Sequence, residues 1–224
     1  RGAVAQSCNI SLAQMSEKIG VNLFCKYQRK FGYGQYTGID LPNEMSCQTL
    51  LYNEGNMTAL DLGTNAFGQN FNTTMIQMST AFCSLINGGY LYRPFVVKDI
   101  FNSKNELVKT NEKVLVSQTI SQSTSNYVKD CLRAVITEGT GGAAAVEGYK
   151  IAGKTGTAQK YDKEGDYYVI SFEGFAPYDN PEVVCYVAID EPATGDASRF
   201  SSELFSNIMT EVLSYLNLGN NKKI

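Results

Sequence analysis

Histidine is missing from all 224 residues. That absence removes Ser-His-Asp and Cys-His catalysis, H-E-x-x-H zinc sites and most other zinc or iron ligation. Any proton transfer must fall to Lys, Glu, Asp, Tyr or Cys. There is no basic run and the net charge is −3, which argues against a nucleic-acid partner. No apolar stretch reaches the roughly 18 residues that a membrane span needs, and no signal peptide is visible. Cysteines spaced C-x-x-C are absent as well. Cys8, Cys25, Cys47, Cys83, Cys131 and Cys185 stand singly, which for most of them reads as small buried hydrophobes rather than a disulfide framework. No metal or cofactor is expected. The chain opens at Arg1-Gly2 without Met, so the expectation is a piece of something longer.

What is there centres on Ala152-Gly153-Lys154-Thr155-Gly156-Thr157-Ala158-Gln159. Alternation suits a strand, with Thr155 and Thr157 projecting to one face and Lys154 to the other. Gly156 projects nothing, and a glycine inside a strand marks a close approach by a ligand or another backbone. Two hydroxyls, one ammonium and one bare backbone position could together hold a carboxylate and a peptide. Lys154 itself reads as an exposed lysine in a cleft.

A rival reading is a P-loop, because Gly148 to Thr155 matches G-x-x-x-x-G-K-[ST] and Val183 to Asp190 imitates a strand ending in a magnesium-binding aspartate. A P-loop must open a helix whose N-terminus binds phosphate. Thr157 to Asp166 has no apolar helical period and carries Gly165 near its end, so the strand reading is preferred.

Four helices are expected around that strand. The first spans Asn9 to Phe31, with Leu12, Met15, Ile19, Leu23 and Tyr27 at helical spacing and Asn9 or Ser11 as cap. Gly32 to Gly68 reads as one long irregular stretch, of the kind that is functional or covers something. The second helix is capped by Asn72, carries Met75, Met78, Phe82 and Leu85 on one face, and stops at Gly88-Gly89. Tyr90 to Ile100 reads as a strand broken by Pro94, followed by a polar hairpin from Asn102 to Asn111. The third helix spans about Ser117 to Glu138 with Ile120, Tyr127, Val128, Cys131, Leu132 and Val135 as its apolar face. Gly139 to Ala145 reads as a flexible loop. Three strands follow, Tyr149 to Gln159, Tyr167 to Pro177 and Glu182 to Asp190, with connections short enough for antiparallel hairpins. The last helix runs from about Ser202 to Leu216, with Phe205, Ile208, Val212 and Tyr215 facing inward. The whole reads as one α/β unit with an antiparallel sheet.

Ser7-Cys8-Asn9 at a helix start and Lys154-Thr155-Gly156-Thr157 on a strand are two thirds of a motif set, S-x-x-K, S-x-N and K-T-G. That set is shared by penicillin-binding proteins and class A β-lactamases. The chain resembles the C-terminal part of a class B penicillin-binding protein, a D,D-transpeptidase of cell-wall synthesis. The likeness covers nearly the whole length. It runs through Phe31-Gly32-Tyr33-Gly34, Thr37 to Pro42, Phe67-Gly68-Gln69, Ile86-Asn87-Gly88-Gly89, Gly139-Thr140-Gly141-Gly142 and Ser171 to Pro177. The resemblance implies the penicillin-binding-protein/β-lactamase-like fold, an antiparallel β-sheet packed between α-helices.

It also implies roles. Ser7 would pass protons between the catalytic lysine, the nucleophile and the leaving amine. Asn9 would hold that lysine and the substrate's amide oxygen. Lys154 would keep the field positive beside Ser7, and Thr155 and Thr157 would hold the terminal carboxylate of D-Ala-D-Ala or of a β-lactam. The Thr157 N–H would supply half of the oxyanion hole, and Gly156 would let the stem peptide lie along the strand. Implied partners are the peptidoglycan stem peptide, β-lactam antibiotics and a membrane glycosyltransferase. The implied location is the extracytoplasmic face of the bacterial cell membrane, anchored upstream of this chain. Cys8, between Ser7 and Asn9, is reminiscent of sporulation-specific members. Its thiolate is expected to be favoured by the Lys154 charge, so it is a candidate redox lock.

The chain departs from the pattern at defined places. No serine has Lys three residues on, so S-x-x-K and its nucleophile are expected upstream of Arg1. Asn70 stands where the family usually has Gly after Phe67-Gly68-Gln69, and Ala193 to Phe205 lacks the usual run of small residues. A penicillin-binding-like regulatory module that has lost the nucleophile is the alternative class of function.

Overall fold

The computed structural model describes residues 1–160, 166–193 and 195–218. The chain begins with one helical turn, α1 (Gly2–Ala5), then α2 (Asn9–Ile19) and α3 (Val21–Lys30). An irregular stretch carrying a 3-10 turn at Gln48–Leu50 leads to α4 (Ala59–Ala66) and α5 (Met75–Ile86). Four short strands follow: β1 (Tyr90–Tyr92), β2 (Asp99–Phe101), β3 (Leu107–Thr110) and β4 (Leu115–Gln118). Then come α6 (Gln122–Thr137), a 3-10 turn at Gly142–Ala144, β5 (Ala152–Lys160), β6 (Tyr167–Ala176), β7 (Val183–Asp190) and α7 (Arg199–Tyr215).

The antiparallel sheet β5-β6-β7 is the organising layer, and its two hairpins agree with the sequence reading. Antiparallel register places directly opposed residues on one face. Thr155 is therefore paired with Phe172, and Lys154 with Glu173. On one face Phe172, Ile151 and Val187 pack with Phe205, Met209 and Leu213 of α7. On the other face Phe175 and Ala152 pack with Phe82 and Ile86 of α5 and Leu132 of α6. Helices thus cover both faces, as expected for this fold class. The small sheets β1-β4 and β2-β3 lie outside that sheet. Asp40 ties the loop after α3 to the segment between β1 and β2 by accepting the Val96 and Val97 N–H groups.

Several elements differ from the sequence reading. The single helix over Asn9 to Phe31 is two, because Gly20 sits at φ 76° and ends the first. The residue at the N-cap of α2 is Cys8, with no side-chain cap bond from Asn9 or Ser11. The stripe Met15, Ile19, Leu23 and Tyr27 is exposed. Helical spacing reveals an apolar face but not which side meets the core. α4 lies inside the stretch read as irregular. Its signal is Thr58 with Asp61, whose side chains and backbone groups form a capping box. Thr74, not Asn72, caps α5 through a second capping box with Gln77. β1 and β2 are separate strands where one broken strand was expected, and the hairpin is β2-β3. Ser117 and Gln118 belong to β4, and Ser121 caps α6. The predicted start of β5 at Tyr149 moves to Ala152. The inward residues of α7 are Phe205, Met209 and Leu213, while Tyr215 is 84% exposed.

Phe205 is completely buried against Phe172, their ring centroids 4.6 Å apart. Phe205→Ala is expected to cost ~3–5 kcal/mol by urea unfolding. Tyr215→Ala should stay within about 0.5 kcal/mol of the parent. Equal effects of the two would place the sheet's core elsewhere.

Candidate active site

Two elements far apart in sequence meet at one bond. Lys154 Nζ donates to Ser7 Oγ at 2.8 Å across 147 positions. Ser7 occupies the turn between α1 and α2 at φ 51°, a left-handed conformation that a non-glycine residue holds only under constraint. The constraint is visible. Ser7 and Cys8 donate their N–H groups to the Val4 and Ala3 carbonyls, and Thr140 N–H donates to the Ala5 carbonyl at 3.2 Å. Gln6 Nε2 donates to the Glu138 carbonyl, and Arg1 pairs with Glu138. At Gly139 a Cβ would sit 1.9 Å from the Ala5 carbonyl oxygen, so only glycine lets the turn lie this close to the end of α6. The loop read as flexible is instead a strap. Its Gly142–Ala144 turn buries Ala144 completely.

Lys154 also donates to the Thr155 carbonyl at 3.0 Å and to Thr155 Oγ1 at 3.3 Å. Lys154 and Thr155 leave opposite faces of β5, so the lysine head folds around the strand edge. That edge is the one away from β6, and β5 has no second strand partner among the described residues. Contrary to the sequence reading, Lys154 is not an exposed lysine. It is half-buried, and burial lowers its pKa from 10.5 to about 8. Its partners among the described residues are neutral oxygens, so the ammonium carries no counter-ion. By contrast Lys160, at the other end of β5, is paired with Asp190 at 2.5 Å and Glu191 at 2.9 Å, which raises its pKa. The cation bonded to Ser7 is Lys154. A desolvated ammonium ringed by neutral acceptors attracts an anion and can exchange a proton with a hydroxyl near neutral pH.

The remaining site residues divide. Thr155 is buried, and its hydroxyl lies 2.9 Å from the Thr140 hydroxyl. Thr157 is exposed, with its carbonyl 3.5 Å from Gln69 Nε2. The bare position at Gly156 faces Ser171, whose Oγ lies 2.3 Å from where a Cβ would be. The close neighbour expected there is therefore a hydroxyl of β6. Asn9 is exposed at the start of α2, and its side chain makes no hydrogen bond among the described residues. Cys8 Sγ accepts from the Ser11 hydroxyl at 3.3 Å. Its pKa is lowered as expected, but through Ser11's hydroxyl and backbone N–H and not through Lys154.

Sequence reasoning missed Thr140 and Glu173, although both lie inside segments quoted for the resemblance. It also missed how the irregular stretch is used. Tyr52, Gln69 and Asn72 line a cleft of about 590 Å3 beside Gln159 and Lys160. Asn70 in that wall has φ 65°, a conformation suited to Gly or Asn, and donates to Tyr52 Oη and Asp61 Oδ1. The P-loop reading fails on geometry. Lys154 to Lys160 is extended and paired with β6, no helix opens there, and Asp190 is bonded to Lys160.

Burial of Lys154 carries a sign that can be measured. Its folded pKa of about 8 lies below the ordinary lysine value of 10.5, so between those values the unfolded chain binds more protons. Stability from this group rises as pH climbs through that window and is flat below it. Lys154→Met should abolish that rise. Denaturant midpoints of both proteins at pH 7 and pH 10 test it, and parallel pH dependences would show the lysine to be solvated.

Residues 1–210 match the family model described as penicillin binding protein transpeptidase domain. Stage V sporulation protein D of Bacillus subtilis is 38% identical over 220 residues, 95% of this chain and 34% of that protein. PbpB of Mycolicibacterium smegmatis is 31% identical over 232 residues, 97% of this chain and 35% of that protein. Penicillin-binding protein 3 of Mycobacterium tuberculosis in complex with ampicillin aligns with a TM-score of 0.88 at 28% identity, covering 100% of this chain and 52% of that one. The chain thus spans about a third of the length of the curated relatives and about half of that solved chain. Family model, relatives and fold agree, and the chain belongs to the penicillin-binding-protein transpeptidase family.

Proposed function

We propose that this chain is the substrate-binding and proton-relay part of a peptidoglycan D,D-transpeptidase that works through an acyl-enzyme on an upstream S-x-x-K serine. The observation that carries this reading is the 2.8 Å bond from Lys154 to Ser7 at the open edge of β5. Relatives support it: one from Mesostigma viride is named a peptidoglycan D,D-transpeptidase FtsI homolog, and penicillin-binding protein 3 has been solved with aztreonam and with ampicillin.

In this reading the D-Ala-D-Ala end of a stem peptide adds to the free edge of β5 as an extra strand. Its terminal carboxylate meets Lys154 and the Thr155 and Thr157 hydroxyls. Carboxylate binding gives Lys154 the counter-charge it lacks and favours its protonated form. Ser7, sharing a hydrogen with Lys154, relays protons to the leaving amine while the Thr157 N–H stabilises the tetrahedral oxyanion. Asn9 is assigned to the amide oxygen of the substrate and to the upstream lysine. β-Lactams enter by the same route. The enzyme's place is the extracytoplasmic face of the membrane, with an upstream anchor and a glycosyltransferase partner.

The 224 residues alone are expected to give no stoichiometric penicillin adduct by intact mass, and the full-length protein a single acyl adduct. An adduct on the isolated chain would overturn the nucleophile assignment. Absence of one on the full-length protein would favour the regulatory module. In the full-length protein Lys154→Ala should lower the acylation rate about 100-fold or more. Its thermal midpoint should hold, because a desolvated charge is removed along with the bond. Equal acylation would leave Ala152 to Gln159 without a function.

Cys8 is assigned a redox role in the same protein. Oxidation by a disulfide-exchanging oxidant ties Cys8 to another cysteine of the full-length protein and blocks acylation, and reduction restores it. Penicillin labelling with and without dithiothreitol, beside a Cys8→Ala control, tests this. Labelling that ignores reductant in both proteins makes Cys8 structural.

A further inference from the structure

Glu173 is 6% exposed, lies on the central strand β6, and has no hydrogen-bond partner for Oε1 among the described residues. An ionised carboxylate left in that condition would be very costly, so the group is held neutral. Its surroundings come from four elements. Lys154 opposes it on β5 and Tyr186 opposes it on β7. Cys83 and Ser79 approach from α5, and Tyr33 from the loop after α3. Cys185 is its other titratable neighbour on β7. Each of the Tyr33, Tyr186, Cys83 and Cys185 groups is itself shifted upward, by burial first and by Glu173 second. Among these neighbours the single cation is Lys154.

We propose that Glu173 is a positioning residue for the Lys154 charge: its buried carboxyl, on the same face of the sheet and directly across from Lys154, sets whether the lysine keeps its proton. The catalytic use of that charge rests on the transpeptidase reading, but the coupling between the two residues does not. When Glu173 is protonated, Lys154 has no anionic neighbour and its positive field is free for a ligand carboxylate. When Glu173 ionises, its negative charge appears on the strand next to the lysine's, favours the protonated lysine and cancels part of its field. No proton passes between them; each responds to the other's charge. Burial is the leading cause of both shifts and brings each group to a pKa of about 8, so the two titrate in one window.

The test is a titration followed by NMR in the full-length protein, reading the 15Nζ signal of Lys154 and the 13Cδ signal of Glu173. In Glu173→Gln the Lys154 midpoint should fall by about one pH unit, a tenfold loss of proton affinity. Coupling is reciprocal, so in Lys154→Met the Glu173 midpoint should rise by a similar amount. This second variant decides the matter if Glu173→Gln fails to fold. A structural role alone moves neither signal, and midpoints that stay put in the folded variants overturn the proposal. Benzylpenicillin acylation is followed in parallel. A full-length protein that never acylates removes the transpeptidase reading and leaves the titration result standing.

Discussion

An ammonium group with no counter-ion among the described residues, half-withdrawn from water at the edge of a sheet, is the constraint that the rest of the structure serves. Lys154 reaches three neutral oxygens, two on its own neighbour Thr155 and one on Ser7. Moving a cation away from water is unfavourable unless hydrogen bonds replace hydration, and neutral acceptors do so only in part. The deficit shows as a lowered pKa, and a ligand carboxylate would make it good. For that deficit to persist, the neighbouring groups must be unable to relax toward the lysine. β5 and β6 run in unbroken register from Ala152 to Lys160, and α7 and α5 clamp the sheet from either side. Ser7 is held by backbone bonds to its own turn, and that turn is strapped to the end of α6. A charge placed on a rigid strand is preorganised for binding in a way that a loop lysine is not.

Legibility in the sequence followed from which signal each element carries. The three long strands were readable because β-branched and aromatic runs alternate with short polar connections, and both hairpins formed where expected. Helix positions were readable, but their orientation was not. Met15, Ile19 and Leu23 have helical spacing yet face solvent, and in α7 the buried row is offset by one residue from the expected Ile208 and Val212 to Met209 and Leu213. Periodicity reports that an apolar stripe exists, while packing decides which stripe is used. α4 was hidden because its neighbourhood is rich in Gly and Asn. Its capping box at Thr58 and Asp61 is a local signal that could have found it.

The site divides in the same way. Ser7, Lys154 and the strand after it were visible because short motifs preserve residue identity and spacing. Their meeting was not, since a 2.8 Å contact across 147 positions is a property of the fold. Thr140 sat within a recognised phrase and still went unread, because its role is a single hydroxyl contact to Thr155. Glu173 also sat within a recognised phrase, Ser171 to Pro177, and went unread. An acidic residue in an otherwise apolar strand becomes informative only when register places it opposite a lysine and helices close over it. The source of the Cys8 shift was also misjudged. Proximity in a motif suggested Lys154, whereas the dominant neighbour is Ser11, one helical turn away.

One burial event acts on the two charges of this sheet with opposite sign, and their sum constrains how the domain responds to pH. Glu173 has a folded pKa of about 8 against 4.5. Below 4.5 it is neutral folded or unfolded. Between 4.5 and 8 only the unfolded chain ionises, so stability is lost as pH rises, and the loss is complete above 8. Lys154 is charged in both states below about 8, where its desolvation cost is full, and the cost is relieved as pH climbs toward 10.5. The first cost has finished growing where the second begins to shrink. Their combined contribution to stability is therefore lowest near pH 8, where Lys154 is poised between its two protonation states. A fold that sought stability alone would place an apolar residue at both positions. A lysine and a carboxyl opposed in register on neighbouring strands, neither with an ionic partner among the described residues, lower the stability of this sheet where apolar residues would raise it.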